Sequence, residues 1–438
     1  MTNDRMKTDW KYIGFALTIY ILAIPLNGLL KLPVVGDKLQ LPEIVFLFLF
    51  VLTFLKVIKQ KLWIKWRLIS IDKALIVYGL ALLISCLGHP TKASLFEMLG
   101  FVYLALLYVI INFYLIESRE KVRKFLVKNT QLSGIFSAVL GLIGLSLLVL
   151  NRENILVGYY PNYPILGDIY RVKALATEPI MLNSVLGVFI LVSVANILNA
   201  EKISFSFKST SIALLMSIIM FLTFTKSIVM CVASILVMIA MRYHFWIKAK
   251  MVIWSLFFIV FIFFSHFVFV KKSDFEQNKY CHAIEKKPLT EVNNKYLLRT
   301  CYGVLKEANI IVLARYPLIG IGGGNFTAYM HQLKEEALYP TYLTEFDPLS
   351  TYFGTLSELG LIGFVSLLYL YFTIGSTWKK ICVTADSDGS NKFWLLIGGV
   401  LLFMVAEGFV TDTMNFRHYW LIVSCLAVKE RISKLELS

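Results

Sequence analysis

Charge is what this sequence has least of. Only 16% of its 438 residues are charged, against 58% hydrophobic residues and a mean hydropathy of +0.71, a balance far outside the soluble globular range. Such a chain has the bilayer as its solvent. Also missing is the alternation of apolar and polar residues over about 10-residue segments that marks a transmembrane barrel. Stretches such as Met251 to Val270 and Phe393 to Val410 are instead apolar on every face, close to the length of about 20 residues that crosses a bilayer as helix. No small-residue cleavage site follows the first apolar segment, which is expected to be retained as a helix. No internal repeat is visible. No Cys/His spacing resembles a zinc site, and neither a metal nor another cofactor is expected.

The net charge of +15 could suggest a nucleic-acid partner, but the basic residues sit in short tracts beside the apolar runs and report topology instead. Lys56 to Arg67, Arg119 to Lys128, Arg242 to Lys250, Lys379 to Lys392 and Lys429 to Lys434 each follow an even-numbered run, as the positive-inside tendency expects of cytoplasmic loops. The expected fold is therefore an all-α polytopic membrane protein, 1–438, with about twelve transmembrane helices and both termini cytoplasmic. The expected spans are Tyr12 to Leu30, Leu41 to Ile58, Ala74 to Leu87, Leu95 to Ile116, Leu132 to Leu150, Glu178 to Leu198, Ser209 to Thr225, Lys226 to Met241, Met251 to Val270, Thr351 to Phe372, Phe393 to Val410 and Asn415 to Ala427. The join at Thr225-Lys226-Ser227 is read as a hairpin, because one long crossing there would place the flanking basic tracts on opposite sides.

Two outer loops are long. Asn151 to Thr177 ends in Thr177-Glu178-Pro179, a helix-start signature. The larger, 271–350 between spans nine and ten, is expected to carry helices: Leu297 to Ala314, stopped at Arg315-Tyr316-Pro317, and a second capped by Asn325 with Phe326, Tyr329, Met330, Leu333 and Ala337 on one face. Of six cysteines only Cys281 and Cys301 share this loop. In an oxidising compartment they are expected to pair, closing a loop of about 20 residues and contributing about 3 kcal/mol at most.

Intramembrane charges are costly enough to mark function. Glu43, Glu97, Glu178, Lys226, Glu358, Glu407 and Asp412 all fall near outer span ends, whereas the middles of the spans are almost free of ionisable groups, so a site is expected at the outer interface rather than at the midplane of a transporter. Arg171, Lys226, Arg299 and Arg315 form a cationic set suited to phosphate oxygens, or else simply meet lipid phosphates or Glu335 and Glu336. Glu178, His331, Glu345, Asp347 and Glu358 are candidate proton acceptors. Thr351, Thr355 and Glu358 share one helical stripe that could line a cleft or make a helix contact. Gly320-Ile321-Gly322-Gly323-Gly324-Asn325 lacks the Lys-Ser or Lys-Thr of a nucleotide P-loop; it is either a tight turn or a backbone-amide nest for diphosphate.

Three segments carry a likeness to a known family: Arg171-Val172-Lys173-Ala174-Leu175-Ala176-Thr177-Glu178-Pro179, then Ala314-Arg315-Tyr316-Pro317-Leu318-Ile319-Gly320-Ile321-Gly322-Gly323-Gly324-Asn325-Phe326, then Asp347-Pro348-Leu349-Ser350-Thr351-Tyr352-Phe353-Gly354-Thr355-Leu356-Ser357-Glu358-Leu359-Gly360. In this order and on this topology the chain resembles the O-antigen ligase and polymerase superfamily of bacterial envelope glycosyltransferases. The resemblance implies an inner-membrane enzyme that takes a glycan from undecaprenyl diphosphate and attaches it to a sugar hydroxyl at the periplasmic face, in lipopolysaccharide biosynthesis, without nucleotide or metal. Arginines would stabilise the leaving diphosphate, and a carboxylate or histidine would take the acceptor's proton with inversion. Ligases acting on lipid A core usually have a histidine where this chain has Leu349, which favours a polymerase joining lipid-linked repeat units, with a chain-length regulator as a partner. A flippase for lipid-linked oligosaccharide and a scaffolding membrane protein are the readings from other classes.

Overall fold

The computed structural model describes residues 2–29, 40–118, 120–163, 167–199, 207–243, 247–276, 286–343, 347–383 and 391–436. The described chain is mostly helix: α1 (Thr2–Ala23), α2 (Leu41–Lys59), α3 (Ser70–Gly88), α4 (Lys92–Ser118) and α5 (Val122–Val149), then the strands β1 (Val157–Tyr163) and β2 (Gly167–Val172). It continues through α6 (Pro179–Asn199), α7 (Phe207–Phe221), α8 (Ile228–Arg242), α9 (Ile247–His266), β3 (Phe267–Lys271), α10 (Lys272–Glu276), β4 (Thr290–Val292), β5 (Lys295–Arg299), α11 (Cys301–Arg315), α12 (Phe326–Glu335), α13 (Thr351–Val383), α14 (Asn391–Glu407) and α15 (Arg417–Glu436). A helix stands at each segment expected to span. Among the described residues α2, α3, α4, α5, α6 and α13 are long and apolar enough to cross a membrane, and Trp10–Leu26, Phe207–Phe221, Ile228–Arg242 and Met251–His266 are shorter apolar helices. The protein is a helical membrane protein.

The helices pack because their inward faces are large and apolar while lipid covers the rest. One core runs from Trp10 to Val428, with α6 at its centre, 72% of its apolar window buried, and α2 at its edge, 22% buried. The outer face of α2 presents Leu47, Phe48, Val51 and Leu55, an apolar surface that only lipid satisfies. At one end the bundle is tied by a buried ion pair. Arg431 reaches both carboxylate oxygens of Asp72, at 2.6 and 2.5 Å, stacks on Trp66 and bonds Asn112, while Tyr108 donates to Asp72. Both members of the pair therefore have further hydrogen-bond partners, as a buried charge requires.

Several expectations are corrected here. The two long loops are not purely helical: β1 and β2 form an antiparallel hairpin, and β3, β5 and β4 form a three-stranded antiparallel sheet. The ninth span does not reach Val270; α9 stops at His266, where β3 begins. Leu297 to Arg299 belong to β5 rather than to the following helix, because their backbone pairs with Phe267 to Phe269, and α11 starts only after Thr300. The chain does break between α7 and α8, with Phe224 left-handed in the turn at φ 47°. The loop also has a small core of its own, in which Val304, Leu305 and Ala308 of α11 meet Phe326, Met330 and Leu333 of α12. Ala337 lies beyond the end of α12 and is not on that face.

The glycine-rich segment is docked into a break in α13. Gly360 has φ 65° and ψ −163°, which frees backbone groups of α13. Residues 317–322 take them up: Ile321 and Gly322 donate to the carbonyls of Ser357 and Glu358, and Leu361 donates to Pro317. Ser85 of α3 closes the joint by bonding the carbonyls of Ile319 and Glu358. Of the two readings left open by the sequence, the tight turn is the one realised: these amides face α13 and not a ligand. The next amides, of Gly324 and Phe326, point at the Glu358 carboxylate. That carboxylate, and not Asn325, caps α12; the Asn325 side chain bonds Thr91 and Ser94 at the start of α4 instead.

Candidate functional site

At the end of the bundle opposite the Asp72–Arg431 pair, a cleft of about 1450 Å³ opens between helix ends. Its walls come from the N-terminal parts of α2, α4, α6 and α13, the α14–α15 turn, Gly323 and Gly324 before α12, and Thr327 in its first turn. Leu47 of α2 and Leu99 of α4 line it and are also exposed on the outside of the bundle, so the cleft communicates sideways with the lipid-facing surface. The lining also carries polar groups. Glu178, Asp347 and Glu358 all line the cleft, and so do Thr351 and Thr355, the rest of the α13 stripe. Glu43, Glu97 and Asp412 join them, against Lys92 and Arg417 as the cationic residues described there.

These carboxylates have different surroundings. Glu178, just before Pro179 at the start of α6, is exposed and its carboxylate accepts no hydrogen bond from the described residues. Asp347 accepts from Thr327 at 2.6 Å. Glu358 is taken up by the α12 amides. Glu43 is held by Arg417, whose Nε lies 2.9 Å away and which also bonds Tyr103 and Gln40. Asp412 accepts from Asn415 at 2.6 Å and from the Met414 amide at 3.1 Å. Burial, reinforced by the charge of Glu97, pushes Asp412 up from the usual carboxylate range to about 7.

None of the four expected cations lines this cleft. Arg299 pairs with Glu307 at 2.6 Å, and Arg315 bonds Glu336 and Tyr329 across the α11–α12 core. Arg171 donates to the Thr223 carbonyl at 2.8 Å and lies over the Tyr160 ring, within electrostatic reach of Lys226. His331 is exposed on α12, away from the cleft. Cys301 is buried at the start of α11; Cys281 and Glu345 lie outside the described residues.

Two cationic positions escaped the sequence reading. Arg417 opens α15 and looked like part of an apolar span; its only signal was a lone guanidinium in the first turn of a helix. Lys306, on α11, contacts His266 Nε2 and lies over the rings of Phe353 and Phe409. No described carboxylate bonds to it, and burial lowers it to about 7. Arg171, Lys226 and Lys306 thus gather around the His266 imidazole as a basic patch outside the cleft. A hydrogen-bonded chain links cleft to patch: His418, which lines the cleft, meets Ser184 at 2.9 Å, Ser184 donates to Glu407 at 2.7 Å, and Glu407 meets Ser227 beside Lys226. No group of three or more His, Cys, Asp or Glu side chains among the described residues is arranged to hold a metal. The sequence matches no model of a known protein family and no curated protein.

Proposed function

We propose that this protein is a glycosyltransferase of the bacterial inner membrane that joins lipid-linked oligosaccharide repeat units at the periplasmic face. Twelve crossings with cytoplasmic termini put the basic tracts inside and the cleft outside, where such donors are presented. The observation that carries the reading is the cleft itself, whose lining combines exposed apolar residues such as Leu47 and Leu99 with Glu178, Asp347, Thr351 and Thr355. A polyprenyl tail suits the apolar part of the lining, and sugar hydroxyls suit the polar part. Glu178, with its carboxylate unengaged, takes the proton of the acceptor hydroxyl as that oxygen attacks the donor sugar carbon. The bond from that carbon to the diphosphate breaks, and the undecaprenyl diphosphate departs as an anion stabilised by Lys92, the cation of the cleft wall that no described carboxylate engages. Leu349, also on the cleft wall, leaves an apolar contact where ligases usually have histidine, and favours another lipid-linked unit over lipid A core as acceptor.

Purified protein incubated with a lipid-linked repeat unit is expected to give a ladder of products and released undecaprenyl diphosphate. Glu178→Gln and Lys92→Ala are each expected to lower the rate about 100-fold or more, in line with loss of an acid–base group or a charge-stabilising donor. A ladder unchanged in both variants defeats the assignment.

A further inference from the structure

The charge balance of the cleft bears on which saccharide it takes. Arg417 is engaged by Glu43, Glu358 by the α12 amides and Asp412 by Asn415 and the Met414 amide, which leaves Glu97, Glu178 and Asp347 facing the space with Lys92 as the remaining described cation. Two buried neutral groups on the same walls have hydrogen-bonding capacity left over. Asn27, 8% exposed, accepts from the Thr177 amide through Oδ1, and its Nδ2 donates to no described residue. His418, 3% exposed, meets Ser184 through Nε2, and its Nδ1 has no described partner. Polar groups buried beside a cavity with open valences imply a polar ligand that completes them. Alternating donors and acceptors over an apolar face is the chemistry of a sugar ring.

Resting on the saccharide reading above, we propose that the cleft selects its sugar units by charge, accepting neutral or amino-bearing units and excluding units that carry a carboxylate. A uronic acid placed there would meet several carboxylates at once in a partly desolvated space, where repulsion between like charges is strong. A neutral unit meets only hydroxyl-compatible groups, and an ammonium gains attraction.

The test uses the full chain in detergent and calorimetric titration with three probes: tetramers of N-acetylglucosamine, of glucosamine and of galacturonic acid. The first two are expected to bind and the third to bind at least about tenfold more weakly, with the gap narrowing at high salt as screening grows. Glu97→Gln should narrow the same gap at low salt. Asp347→Asn, at an exposed position, should narrow it as well and serves if the first variant does not fold. Equal binding of the uronate and neutral tetramers overturns the charge selection and leaves the transferase reading standing. Failure of all three to bind overturns both.

Discussion

At the scale of single residues, two buried groups decide how the molecule responds to substitution and to pH. Asp72 and Arg431 are each 6% exposed and bonded at 2.5 Å. Removing one member strands the other charge without water, which costs about 3–5 kcal/mol. Asp72→Ala and Arg431→Ala are therefore both expected to lower the melting temperature sharply, and the double variant is expected to lose less than the sum of the singles. Asp412 behaves differently. Its folded-state value near 7 lies above the ordinary 3.8, so the folded chain favours the protonated form. The stability tied to that proton is complete below about pH 4 and is lost as pH rises through about 7. Asp412→Asn is expected to gain on the parent in melting temperature between about pH 5 and 8; a constant difference across that range would refute the burial argument. The outer carboxylates were legible in the sequence, because a charge at a span end stands out against apolar neighbours. Arg417 and Lys306 were not. One was hidden in a helix start and the other looked like an ordinary loop lysine, and only the packing of distant elements gives either its surroundings.

At the scale of elements, the break in α13 and the glycine segment form one joint. A Cβ at Gly320 would lie 2.3 Å from the Glu358 backbone, and one at Gly360 would lie 2.4 Å from the Leu318 backbone. Both residues are also left-handed, at φ 67° and 65°. Gly320→Ala and Gly360→Ala should each destabilise by about 2–4 kcal/mol, from backbone strain plus overpacking. The pair should be strongly non-additive, since the first substitution already forces the segments apart. Additive effects in a denaturant or thermal series would show that the two glycines act separately. The glycine run announced a turn in the sequence, but nothing local said that the turn would fill a broken helix. The strands were missed for the same kind of reason: β5 is held by β3, some 30 residues earlier, and a pairing at that distance leaves no periodicity in a five-residue window.

At the scale of the whole molecule, the sequence was most informative, because the length of an apolar run and the requirement that its backbone bond internally leave helix as the outcome. What the run lengths do not contain is lateral arrangement: that α2 stands at the edge, that α6 is enclosed, and that the N-terminal ends of α2, α4, α6 and α13 surround one space. Charge then bears on which way that space faces. The cleft gathers carboxylates at one end, while Lys56, Lys59, Lys379 and Lys434 stand at helix ends of the other, the side that the positive-inside tendency assigns to the cytoplasm. With the native cysteines replaced, Ala328→Cys on α12 is expected to react with a membrane-impermeant maleimide added to cells whose inner membrane is intact. Lys379→Cys near the end of α13 should react only after that membrane is opened. The opposite pattern would turn the bundle over and present the cleft to the cytosol, where no periplasmic donor could reach Glu178, and the proposed transfer would have to be abandoned.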